Sequence, residues 1–228
     1  MVLGVIALVV VLGLATLPQL WVKHVLARHS GERADFPGSG GELARHLLDG
    51  MKLGGVRVEE TTLGDHYDPE TKTVRLLPQH MRGRSLTAVV VAAHEVGHAM
   101  QDATGYGPLA ARTRMAKQAR SIERLGSILM LTAPLLLVIF KAPALVLLQL
   151  VAGLLILSSS ILMHALTLPV EFDASFARAL PVLKAGGYVG DKDMPAARQI
   201  LKAAAFTYVA AAAMSLLDVM RWLRMLRF

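Results

Sequence analysis

The sequence predicts a mainly α-helical chain in which several membrane-spanning helices accompany a small α+β portion, and three observations predict it. The 228 residues are 54% hydrophobic and 18% charged, with a mean hydropathy of +0.49, which is more apolar than an ordinary globular domain. Three stretches, 2–22, 125–140 and 142–170, contain no Asp, Glu, Lys or Arg. The charged residues collect instead in 27–120, where two short β-rich runs precede one helix of unusual composition.

In chain order, residues 2–22 are long enough to cross about 30 Å of hydrocarbon as a helix. No basic segment precedes them and the run exceeds the usual core of a signal peptide, so 1–26 is expected to be an anchor. Lys23, Arg28 and Arg33 follow it and place the next region in the cytoplasm. That region, 27–120, opens on a Gly- and Ser-rich flexible link at Pro37 to Gly41. Glu42 to Leu53 reads as a helix, closing at Leu48-Asp49-Gly50. Val56 to Glu60 and Thr73 to Leu77 read as strands, separated by a turn at Asp68-Pro69-Glu70. Ser85 to Ala103 is a helix without proline, with Ser85 suited to its N-cap and Gly105 beyond its end. From Ala88 to Ala93 it is apolar all round, the mark of a buried helix.

Residues 121–170 are expected to form a hairpin of two spans. Leu125 to Phe140 is extended by Ser121 and Ile122 with Arg124 snorkelling, and Lys141-Ala142-Pro143 turns the chain back. The segment 171–202 then returns to the membrane face that carries 27–120. Residues 203–228 form a C-terminal helix; Ala203 to Leu217 is a candidate fourth span, although Arg221, Arg224 and Arg227 beyond it oppose a crossing. The net charge of +7 is explained by basic residues flanking the second apolar run, Arg112, Arg114, Lys117, Arg120 and Arg124, and no nucleic-acid module accompanies them. The bilayer, not nucleic acid, is the expected partner, and the residues carry no signal for an oligomeric state. With no cysteine, a metal here must be held by His and carboxylate.

The chemistry lies in His94-Glu95-Val96-Gly97-His98. Residues i and i+4 stack on one helix face, so two imidazoles reach one cation while the intervening glutamate sits beside it, the zinc-hydrolase signature. Two helical histidines can also be merely structural, but in a chain with 8 His the full pattern arises by chance on the order of 1% of the time. Burying His, Glu and His is costly, and one zinc ion per chain accounts for it. Catalytic zinc takes three protein ligands, and Glu171 and Asp173, in LPVEFDAS, lie where the second span ends. Glu171 is favoured as the third ligand and Asp173 as the carboxylate that steadies a ligand histidine, though the two acids can exchange roles, and acids also suit a helix's first turn. In such a site zinc lowers the pKa of water and polarises a peptide carbonyl, while Glu95 serves as base and then as acid toward the leaving amine. His66, Tyr67 and Tyr208 are candidates for the donor that stabilises the oxyanion, and Thr73 to Leu77 is a candidate for pairing with an extended substrate. His164, within an apolar run, is left without a role.

The zinc helix, two apolar runs and Glu171-Phe172-Asp173-Ala174-Ser175 together resemble the membrane gluzincins of the HtpX and CAAX prenyl protease type. Their third ligand is the glutamate of a similar Glu-Phe-x-Ala-Asp, and Ser175 stands here in place of the final aspartate. Over most of its length the chain is similar to the YugP-type bacterial membrane zinc metallopeptidases. That similarity rests on Asp65-His66-Tyr67-Asp68-Pro69, Ala92-Ala93-His94-Glu95-Val96-Gly97-His98-Ala99, Leu168-Pro169-Val170-Glu171-Phe172 and Ala204-Ala205-Phe206-Thr207-Tyr208-Val209. The resemblance implies a zincin-like fold around the signature helix. It also implies a membrane-embedded zinc endopeptidase that cleaves membrane or membrane-proximal proteins, with its active site facing the cytoplasm. Two rivals remain: a site-2-type protease using Leu48-Asp49-Gly50, and a zinc-stabilised scaffold without turnover, for which Glu95 would be superfluous.

Overall fold

The structure, a computed structural model, describes residues 2–140 and 143–207, with the side chains of parts of the longest helices left aside. Tyr208, the rest of the predicted C-terminal helix, Lys141-Ala142 and the His164 side chain lie outside the described residues. The chain is mainly helical with one small sheet. In order it forms α1 (Val2–Arg28), α2 (Gly40–Gly50), β1 (Arg57–Glu60), β2 (His66–Asp68), β3 (Thr73–Leu76), α3 (Pro78–Met81) and α4 (Leu86–Ala103). Then follow α5 (Gly107–Phe140), α6 (Pro143–Phe172), a π-helical stretch (Asp173–Ala179) and α7 (Leu180–Ala185). Residues 194–207 are helical as well.

One expectation is overturned. Among the described residues no helix is long and apolar enough to cross a membrane, so the multi-spanning architecture inferred from uncharged runs does not stand. The reason lies in how those runs are used. The apolar run 125–140 is only the second half of α5, whose first half carries Arg112, Arg114, Lys117, Arg120, Glu123 and Arg124. The run in α6 contains Gln149 and Ser158 to Ser160. The end of α1 puts Val22 and Val25 into a protein core.

The residues fall into two compact units. The first contains 2–19 and the described part of 111–167. Within it the Gln149 amide of α6 donates to the Leu129 carbonyl and the Thr132 hydroxyl of α5, both at 2.8 Å. Leu125, Ile128, Leu131, Leu147, Leu148 and Leu155 remain exposed on these two helices.

The second unit, 20–110 with 168–207, holds every chemically suggestive residue that is described. Its centre is α4, buried along almost its whole length. The Ser85 hydroxyl caps it by accepting from the Ala88 N–H, and α2, the π-helical stretch and the sheet surround it. Leu48, Val74, Leu76, Val90, Leu183, Ile200 and Leu201 fill the core between these elements and are fully buried. The proposed flexible link at Pro37 to Gly41 is ordered instead. Ser39 and Glu42 form a capping box that starts α2 two residues earlier than predicted. Gly40 lies against the carbonyls of His80 and Ala88, where a Cβ would come within 2.4 and 2.6 Å.

The sheet order is β1-β3-β2, with β1 parallel and β2 antiparallel to β3. Both strands predicted from the sequence are present, but β3 is central. Its two edges are already paired, so it cannot take an extended peptide by backbone addition. The open edges belong to β1 and to β2, a three-residue strand hidden in sequence by its lack of apolar alternation.

Candidate metal centre

The α4 helix places His94 and His98 one turn apart, with ring centroids 4.8 Å from each other. Facing them is the last turn of α6, which carries Glu171. Its Oε2 lies 3.2 Å from His94 Nε2 and 3.3 Å from His98 Nε2. All three side chains are buried, and their ligand atoms lie within 4.8 Å of one another. A charge-assisted N–H···O bond draws its atoms to about 2.7–2.9 Å. Donors held 2.0–2.1 Å from one tetrahedral cation stand about 3.3 Å apart. The two separations from Glu171 are close to the second spacing, and all three ligand atoms lie within 4.8 Å.

The tautomers agree. Gln101, on the same face of α4 and fully buried, directs its amide nitrogen to the Val170 carbonyl and to Asp173 Oδ2, both at 2.8 Å. Two acceptors at that nitrogen fix the amide's orientation, so Gln101 Oε1, 2.8 Å from His98 Nδ1, accepts a hydrogen bond from it. The His98 proton is then on Nδ1 and the lone pair on Nε2. His94 is treated in parallel: its Nδ1 lies 3.0 Å from Ser175 Oγ, and that hydroxyl donates to the Leu201 carbonyl at 3.2 Å. With its one proton committed to Leu201, Ser175 accepts from His94. Both imidazoles therefore present lone pairs toward Glu171, and two nitrogens with one carboxylate oxygen form a donor set suited to zinc.

Asp173 faces away from this triad. It receives Gln101 and a 2.7 Å hydrogen bond from Arg178 Nε. Partial burial pushes its carboxyl up, but the hydrogen bonds from Arg178 and Gln101 prevail and hold it below its ordinary value. Arg178 also donates to the Thr104 hydroxyl and lies over the Tyr106 ring. Glu95, within the signature, is buried beside the two histidines in sequence. The α4 and π-helical backbones meet at Gly97, where a Cβ would stand 2.5 Å from the Ala174 carbonyl oxygen.

The other described sequence candidates make hydrogen bonds and ion pairs elsewhere. Tyr67 donates its hydroxyl proton to Asp102 Oδ2 at 2.6 Å; burial and that carboxylate push the phenol well above its ordinary range. His66 Nδ1 bonds to the Gly64 carbonyl at 2.8 Å. Asp49, of the Leu-Asp-Gly sequence, pairs with Arg45 on the α2 surface at 2.8 Å and is not among the grouped ligand atoms. Sequence reasoning missed Gln101, and it noted Ser175 only as standing in place of an aspartate, without a role. Both carried a readable signal, since Gln101 follows His98 by three and Ser175 follows Glu171 by four, each on its ligand's helical face.

A protein described as "Putative membrane protease YugP" from Bacillus subtilis (strain 168) is 37% identical over 213 residues, covering 92% of this chain and 91% of that protein. No solved structure matches. The family profile described as "Putative neutral zinc metallopeptidase" matches residues 4–227, and the chain belongs to that family.

Proposed function

We propose that the protein is a gluzincin-like, zinc-dependent endopeptidase in which His94, His98 and Glu171 hold one zinc ion and Glu95 is the general base. The observation that carries this reading is the convergence of two Nε2 atoms and one carboxylate oxygen within 4.8 Å in a buried site. Each Nδ1 of that pair is engaged by a neutral hydrogen-bond partner. Zinc bound there supplies a Lewis acid that acidifies water and polarises a peptide carbonyl. Glu95 takes the proton of the attacking water on its carboxylate and passes it to the amine as the peptide bond breaks. Ser175 and Gln101 keep the two imidazoles in the ligating tautomer throughout. A structural zinc site has no need of Glu95, which is why turnover is favoured over a scaffold.

The substrates are proteins at or near a membrane surface. The name of the Bacillus relative supports this, as do the exposed Leu125, Ile128, Leu131, Leu147, Leu148 and Leu155. One experiment tests both parts: the purified chain is mixed with vesicles containing anionic lipid and a protein substrate, with and without zinc. Wild type floats with the vesicles and cleaves only with zinc. Glu95→Gln floats and retains zinc, but cleaves about 10²–10⁴-fold more slowly. Full activity in Glu95→Gln refutes the base, and failure to float refutes the membrane-proximal substrate.

A further inference from the structure

From the network around α4, we infer that Gln101 is a positioning residue that locks the metal site by tying together the two helices that supply its ligands. The inference rests on the proposed zinc site and goes beyond it, because Gln101 supplies no ligand.

Gln101 is fully buried and makes three hydrogen bonds at the site. Its oxygen accepts from His98, while its nitrogen donates both to the main-chain carbonyl of Val170, the residue before Glu171, and to Asp173, two residues after it. One side chain thus brackets Glu171 from both sides while orienting His98. Through these bonds the third ligand is placed by the same group that sets the second ligand's tautomer. The far end is fixed in turn, since Asp173 is held by Arg178, and Arg178 by Thr104 at the C-cap of α4. The result is a closed loop, from α4 through Gln101 to the end of α6, on through Asp173 and Arg178, and back to α4. An apolar side chain of the same length fills the space but makes none of these bonds. His98 is then free to choose its tautomer, and the Val170 carbonyl loses its partner.

The test uses the full-length, metal-free protein. Zinc is titrated against a fluorescent chelator in wild type, Gln101→Met and Gln101→Asn, alongside thermal unfolding of each metal-free protein. Cobalt(II) spectra of each loaded protein report ligand geometry. Met matches glutamine in length without its polar groups, and the buried partners it leaves unpaired lower the melting temperature of the metal-free protein without unfolding it. Its zinc affinity falls about 10–100-fold, and its cobalt bands shift. Wild-type zinc affinity and an unchanged cobalt spectrum in Gln101→Met overturn the inference. If Gln101→Met does not fold, Gln101→Asn, too short to reach His98 and Val170 together, is held to the same two outcomes. A wild type that binds no zinc overturns the metal site itself, a result distinct from the failure of Gln101 alone.

Discussion

Gly97→Ala probes how the signature helix and the Glu171 segment depend on each other. The added Cβ would lie 2.5 Å from the Ala174 carbonyl oxygen and 3.2 Å from its carbon, where ordinary contact begins at 3.4 Å. The obstacle is backbone, so it cannot rotate away, and the π-helical segment must retreat by about 0.9 Å to reach that distance. Ala174 lies between Glu171 and Ser175, so the retreat carries the third ligand away from both histidines and Ser175 away from His94. Alanine in place of helical glycine regains about 1 kcal/mol, against an overpacking cost of about 1–3 kcal/mol. Global stability therefore falls by at most about 2 kcal/mol, whereas a displacement near 1 Å at a reacting centre costs about 10²-fold in rate. The assay is peptide hydrolysis and zinc titration on one preparation, with a urea melt as the folding control. A Gly97→Ala protein that is stabilised and retains wild-type zinc affinity and activity would refute this account of the glycine.

Two other perturbations test separate parts of the molecule. Ser175→Ala removes the acceptor for His94 and the donor to Leu201, and zinc affinity measured by chelator competition is expected to fall about 10-fold with the fold intact; unchanged affinity removes Ser175 from the site. At the sheet, burial pushes Asp68 up, but bonds from Arg75, Thr71 and the Glu70 and Thr71 amides outweigh it and bring its pKa down to about 2. A carboxyl depressed in the folded state contributes stability that is complete above its unfolded value of about 3.9 and disappears as pH falls through about 2. Urea unfolding should therefore find Asp68→Asn less stable than wild type at pH 6, with the gap closing between about pH 4 and 2. A gap independent of pH would show that the charge is not responsible.

The parts legible in the sequence were those decided locally. Ser85 and the apolar run after it announced α4 to within a residue of its observed start, because a cap and a helical period are properties of adjacent residues. The pairing of His94 and His98 follows from such a local signal, their i, i+4 spacing, whereas the sequence brings Glu171 to them only by way of a spanning hairpin that the described residues do not support. What escaped depended on distant partners. Pro37 to Gly41 reads as a link by composition, and only the carbonyls of His80 and Ala88 explain why glycine stands at position 40. His66 to Asp68 pairs because β3 is there to receive it. The uncharged runs misled for a related reason: apolar composition records what a segment avoids, while its place in a mixed helix decides what it covers.

The π-helical stretch has a consequence for how this chain tolerates change in length. In an unbroken α-helix, at 100° per residue, Leu180 would point about 180° away from Glu171. The wider π turn between them rotates less per residue, and Leu180 and Leu183 are buried in the same unit as Glu171. A one-residue register offset is thus stored between the ligand and the core. Closing the segment to α-helix at unchanged length would turn Leu180 to the far side of Glu171, whereas deleting one residue from 173–179 and closing it leaves the two about 80° apart, on the same side. What the site cannot accept is a substitution that restores regular α-helix here without a compensating loss of one residue.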